Sequence, residues 1–190
     1  MTAIDYIQLR AFARYDGLKL FGLWIASFAC YMVGLREPGL DVVGLVLALV
    51  TPFYAARLLR RFRDEGLEGV VSFGRGWAYV LFLFFYASLL FALAQFVYFT
   101  YIDKGYFMEQ IAQMFTELTT AQAMQQLGMA KGLAQTIADL SQMRPIDLVL
   151  NIMTSNLLIG LVIGLPIGIM AHRSSKPLPP ASPQKERPQQ

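Results

Sequence analysis

Five polar residues cluster at helical spacing within the apolar C-terminal part of the chain: Asp147, Asn151, Thr154, Ser155 and Asn156. Polar groups inside a membrane are costly and often functional, so this polar track predicts a path for ions, protons or a lipid head group. A structural interpretation competes with it. Asp147 follows Pro145 and fits the first turn of a helix, where the dipole favours a carboxylate. Asn151, Thr154 and Ser155 would then bond to neighbouring helices.

An arginine cluster closes the second apolar stretch and comprises Arg57, Arg60, Arg61 and Arg63. The first three fall on one helical face. Guanidinium groups bind phosphate in a bidentate manner, so the cluster predicts recognition of anionic lipid. The alternative is a topology determinant with local pairing to the acidic residues that follow, Asp64, Glu65 and Glu68.

Small residues recur at every fourth position on three apolar segments and let helix backbones approach closely. The longest row is Gly160, Gly164 and Gly168. Shorter rows begin with Gly22 and Ala26 in the first segment and with Gly44 and Ala48 in the second. These helix-packing faces predict either close packing within one chain or a seat for a second copy or another membrane protein.

No residue set in the sequence is arranged for catalysis. There is no nucleophile elbow and no phosphate-cradling glycine motif. Cys30 and His172 are the only cysteine and histidine, so we expect neither a metal nor another cofactor. The chain has a net charge of only +3 and shows no basic face interleaved with accessible aromatic residues, so we expect no nucleic-acid partner. The sequence therefore favours a non-enzymatic protein.

The elements that must carry these residues are transmembrane helices. The chain is 56% hydrophobic and 15% charged. A helix needs roughly 20 apolar residues to cross the hydrocarbon core, and four segments come near or exceed that length. We expect an all-α four-helix membrane bundle as one domain over residues 1–173, with spans at about 18–35, 42–59, 76–102 and 147–171. Residues 4–14 are either a separate interfacial helix or the lead-in to the first span.

Basic residues orient the spans. Twelve of the sixteen Lys and Arg residues lie in the N-terminal segment, the second loop and the tail. Because basic residues concentrate on the cytoplasmic side, both termini are predicted to lie in the cytoplasm. The loop 103–145 then faces outward, and its periodic apolar residues predict a short amphipathic-helical insertion. The proline-rich tail, residues 174–190, is predicted to be disordered.

Two stretches carry a resemblance to a known family. They are FRDEGLEGVVSFGRGW, residues 62–77, and YIDKGYF, residues 101–107. A charged, glycine-rich inner loop followed by SFGRG resembles the family known as domain of unknown function 4199, whose members are four-span bacterial inner-membrane proteins. The resemblance covers about residues 14–173 and implies fold and location, but no catalytic residues. It also points to polyprenol-phosphate glycosyltransferases as one class of partner.

Three functions follow as hypotheses. The leading one is a non-enzymatic accessory or scaffold subunit that packs against itself or another membrane protein within the lipid bilayer. The second is a small dimeric transporter or channel that uses the polar track. The third is a lipid-binding regulatory subunit of a membrane enzyme, such as a polyprenol-phosphate glycosyltransferase, that uses the arginine cluster.

Overall fold

The computed structural model describes residues 3–37, 39–120, 132, 135 and 143–172. Most of these residues lie in helices that the structure describes from end to end, namely α1 (Ala3–Gly34), α2 (Leu40–Arg61), α3 (Phe73–Val97), α4 (Tyr106–Thr120) and α5 (Pro145–Ala171). Short π-helical turns extend two of them, Phe62–Gly66 after α2 and Tyr98–Ile102 after α3. The predicted tail lies outside the described residues, as does most of the loop beyond α4.

Four of these helices are long and apolar enough to cross a membrane: α1, α2 and α3 with their extensions, and α5. This confirms the predicted four-span helical fold. In lipid each backbone N–H and C=O must be bonded within its own segment, which is why apolar stretches of this length fold as helices. Residues 4–14 continue directly into the first span, because α1 is unbroken from Ala3 to Gly34. Residues 4–14 are therefore the first turns of the helix that forms the first span, not a separate interfacial helix.

The four spans pack in the order α2, α1, α3, α5, and the two outer helices of this order make only limited contact with each other. Helix α1 packs against α2 and α3, and α3 packs against α5, whereas α2 touches α3 and α5 at only a few positions. Aromatic side chains fill the centre. Trp24 meets Phe84 and Phe91 edge-on, with ring centroids 5.6 Å apart in each pair, and Phe62 stacks on Tyr79 at 4.6 Å. The weak α2–α5 contact leaves one side of the bundle open.

Helix α4 is the amphipathic helix predicted in the long loop. The buried Asp103 carboxylate accepts a hydrogen bond from the Phe107 N–H at 3.1 Å and so caps the first turn. Phe107 packs on Phe99 of the preceding turn, and the Tyr106 hydroxyl donates to the Leu35 carbonyl at the end of α1. These contacts attach the start of α4 to the bundle.

Candidate functional site

The polar track lies on the outer side of α5. Asn151, Thr154 and Ser155 are exposed, whereas Asp147 and Asn156 are partly buried. The Thr154 hydroxyl donates to the Leu150 carbonyl within its own helix at 2.8 Å. The structure thus does not enclose the track between the spans of one chain. Its members are split between an outward face and, for Asn156, the wall of a cavity.

Asp147 forms an ion pair with Arg144 at the start of α5. Arg144 is the N-cap residue of this helix and Pro145 follows it. The Arg144 guanidinium donates to both carboxylate oxygens of Asp147, at 2.8 and 3.1 Å. Hydrogen bonding to this carboxylate raises the pKa of Arg144 above its ordinary value. Asp147 therefore occupies the first-turn position that the structural interpretation gave it.

Asn151 and Ser155 have a different environment. Within the described residues no hydrogen bond reaches either side chain, and the neighbouring Leu150 and Leu158 are exposed apolar residues. At a rise of 1.5 Å per residue, α5 is about 40 Å long, and Asn151 and Ser155 lie about 9 and 15 Å from its start. The hydrocarbon core is only about 30 Å thick, so both positions fall at hydrocarbon depth if α5 is centred in the bilayer.

The glycine row of α5 faces α3. A Cβ on Gly160 would lie 2.5 Å from the Phe84 Cγ, and one on Gly164 would lie 3.0 Å from the Trp77 Cδ1. Gly168 faces the Phe73 ring and the Trp77 backbone nitrogen less tightly, with its nearest contact at 3.3 Å. The row therefore serves helix packing inside one chain.

The two shorter small-residue rows, on α1 and α2, differ in their surroundings. Gly44 is buried against α1, where a Cβ would come within 2.7 Å of the Tyr31 nitrogen. Ala48 lines the cavity described below. Gly22 and Ala26 are exposed, and a Cβ on Gly22 would meet nothing within 4 Å. Both small residues of the α1 row are thus exposed, whereas the α2 row has a buried Gly44 and an exposed Ala48.

The structure separates Arg63 from the rest of the arginine cluster. Arg57, Arg60 and Arg61 are exposed, and Arg61 pairs with Glu65 at 2.9 Å. Arg63, by contrast, is only 9% exposed. It donates to Asp64 at 2.7 Å and to the Ala171 carbonyl at the end of α5 at 3.3 Å. Arg63 is thus set apart from the exposed guanidinium groups with which the sequence analysis grouped it for phosphate binding, because Asp64 and the end of α5 already hold its guanidinium.

A buried carboxylate was missed by the sequence analysis. Asp16 on α1 is 2% exposed, accepts a hydrogen bond from the Tyr79 hydroxyl at 2.5 Å and pairs with Lys19 at 2.6 Å. The i, i+3 spacing of Asp16 and Lys19 was the available signal. Tyr79 lies 63 residues away on α3, so only the packing of α1 on α3 reveals the third member. The cluster ties α1 to α3 near the Phe62–Tyr79 stack.

The four spans line an open cavity of about 460 Å³, here called the intramembrane cavity. Its walls come from all four spans: Trp24, Ser27, Phe28, Tyr31, Gly44, Leu45, Ala48, Leu49, Thr51, Pro52, Phe84, Phe91, Asn156, Ile159 and Ile163. Most of these side chains are aromatic or aliphatic. No sequence pattern marks the cavity, because each wall reads as an ordinary apolar helix face.

The fold and these surfaces define a polytopic helical membrane protein with four spans. Residues 15–173 match the family described as "Protein of unknown function (DUF4199)", and because the match covers most of the chain, the protein belongs to this family. This confirms the predicted resemblance. No curated protein and no solved structure matches the chain.

Proposed function

We propose that this protein is a non-enzymatic accessory or scaffold subunit of a bacterial inner membrane, with both termini in the cytoplasm. Its proposed role is to dock a membrane-spanning helix on the outer face of α5. The observation that carries the proposal is the exposure of Asn151 and Ser155 on a helix long enough to cross the membrane.

The argument is one of hydrogen-bond satisfaction. A polar group without a partner costs roughly 2–7 kcal/mol when transferred from water to an apolar medium. An interhelical hydrogen bond between polar side chains recovers about 1–2 kcal/mol in model peptides. The Asn151 amide is both donor and acceptor, so the same face on a second copy would satisfy it across a two-fold axis. A partner helix of another protein that carries Asn, Gln, Ser or Thr would do so equally well.

A small dimeric transporter or channel would use the same face as the wall of an ion path. Such proteins usually carry an ionisable residue at depth. Asp147 is the only acidic residue of the polar track, and it lies at the helix start in an ion pair with Arg144. Helix docking is therefore the stronger proposal. Flux through proteoliposomes that falls in Asp147→Asn or Asn151→Leu would instead support transport.

Cysteine crosslinking in native membranes tests the docking face. In a Cys30→Ser background, Asn151→Cys should crosslink to a neighbouring chain, because its side chain lies at the proposed interface. The matched control is Val46→Cys, which is also exposed and lies six residues from the corresponding end of α2.

The size of the crosslinked product identifies the partner: twice the chain mass means a second copy, and any other mass means a different protein. The decisive comparison is between the two positions. If Asn151→Cys crosslinks no more than Val46→Cys, the docking face is refuted.

A further inference from the structure

We infer that the intramembrane cavity binds one hydrocarbon chain of a bilayer lipid, which enters between α2 and α5. The cavity has a buried floor and an exposed rim. Trp24 and Phe84 on the floor are 7% and 1% exposed, whereas Leu45 and Leu49 on the rim are 53% and 71% exposed. The rim lies on apolar spans, and α2 and α5 touch at only a few positions. The opening therefore faces the hydrocarbon of the bilayer.

The chemistry of the floor selects an apolar occupant. The Trp24 indole N–H already donates to the Thr51 hydroxyl at 3.1 Å, and the Ser27 hydroxyl donates to the Gly44 carbonyl at 2.7 Å. These donors are therefore taken up within the protein. What the floor offers a ligand is aromatic and aliphatic surface, whose burial stabilises a hydrocarbon chain by van der Waals contact.

The size of the cavity is that of a ligand-binding site. Its volume is about 460 Å³. The volume lies within the range of about 300–1,000 Å³ typical of ligand sites.

Two polar side chains on the wall, Asn156 and Tyr31, have no hydrogen-bond partner among the described residues. If a hydrocarbon chain is the ligand, neither group is needed for binding. Asn156→Leu should then retain the lipid, because the substitution only makes the wall more apolar. Loss of binding in Asn156→Leu would show that a polar group of the ligand is recognised, and would overturn the assignment to a simple acyl chain.

Fluorescence quenching by brominated lipid tests the site directly. The chain contains two tryptophans, Trp24 and Trp77, so Trp77→Phe leaves Trp24 on the cavity floor as the single reporter. The protein is reconstituted into phosphatidylcholine vesicles with and without bromine on the acyl chains. Bromine quenches only at short range, so a buried Trp24 should be quenched only if an acyl chain enters the cavity.

Blocking variants in the same background make the result specific. Ala48→Phe fills the cavity from α2 and Ile159→Phe fills it from α5, and each should remove most of the quenching. Ala26→Phe is the matched control, because Ala26 is exposed on α1 and does not line the cavity. Circular dichroism verifies that each variant keeps its helical content.

Two outcomes would overturn the inference. An unquenched Trp24 would mean that no acyl chain reaches the floor, whether the cavity is closed or filled by another segment. Equal quenching in the control and in both blocking variants would mean that lipid reaches Trp24 by a route other than the cavity.

Discussion

Gly160→Ala should destabilise the bundle, because the added methyl group would overlap with α3 where α5 packs against it. The new Cβ would lie 2.5 Å from Cγ and 2.7 Å from Cβ of Phe84. These atoms sit at the root of a side chain that is 1% exposed, so rotation of the ring cannot relieve the overlap. Overpacking of this kind costs about 1–3 kcal/mol. Replacing a helical glycine by alanine returns about 0.5–1 kcal/mol, so the midpoints of the two ranges give an expected net loss of about 1 kcal/mol.

The free energy of unfolding in mixed micelles, titrated with a denaturing detergent, measures this loss. Gly22→Ala is the control, because a Cβ there meets nothing within 4 Å and should leave stability unchanged or slightly raised. Gly168→Ala should fall between the two, since its nearest contact at 3.3 Å is the ring edge of the partly exposed Phe73. A Gly160→Ala protein as stable as Gly22→Ala would refute the close approach of α5 and α3.

Three further predictions concern the buried charges and the topology. Tyr79→Phe keeps the ring but removes the hydrogen bond to Asp16, and should cost about 1.5–3 kcal/mol in the same unfolding assay; a double-mutant cycle with Asp16→Ala that gives no coupling energy would contradict the contact. Arg63→Ala should cost about 1–3 kcal/mol by removing the hydrogen bond to the buried Ala171 carbonyl, whereas exposed Arg60→Ala should stay within about 0.5 kcal/mol; equal losses would argue against the separate placement of the two. A reporter enzyme that works only outside the cytoplasm should be active when it is inserted in the loop 103–145. Activity at the same position of a reporter that works only in the cytoplasm would invert the proposed topology.

Many of the features of this protein were readable from local sequence. The four spans and α4 follow from runs of apolar residues and from helical periodicity, because in lipid a helix satisfies its own backbone. The first-turn position of Asp147 follows from Pro145 and the helix dipole, and the pairing of Arg61 with Glu65 follows from their i, i+4 spacing.

What the sequence could not decide was which face of each helix meets another. The glycine row of α5 and the row of Gly22 and Ala26 look alike as spacing, yet the first is packed on α3 and the second faces outward. Periodicity defines a face but not its neighbour, since lipid tails and leucine side chains are equally apolar.

The sequence alone therefore determined a four-span helical membrane protein. Only the tertiary structure decided that Asp16 bonds to Tyr79, that Arg63 is buried, and that four ordinary apolar faces line one cavity. The physical reason is that hydrogen bonds and cavities between helices depend on contacts between residues far apart in the chain, whereas a transmembrane helix depends only on neighbours within a few turns.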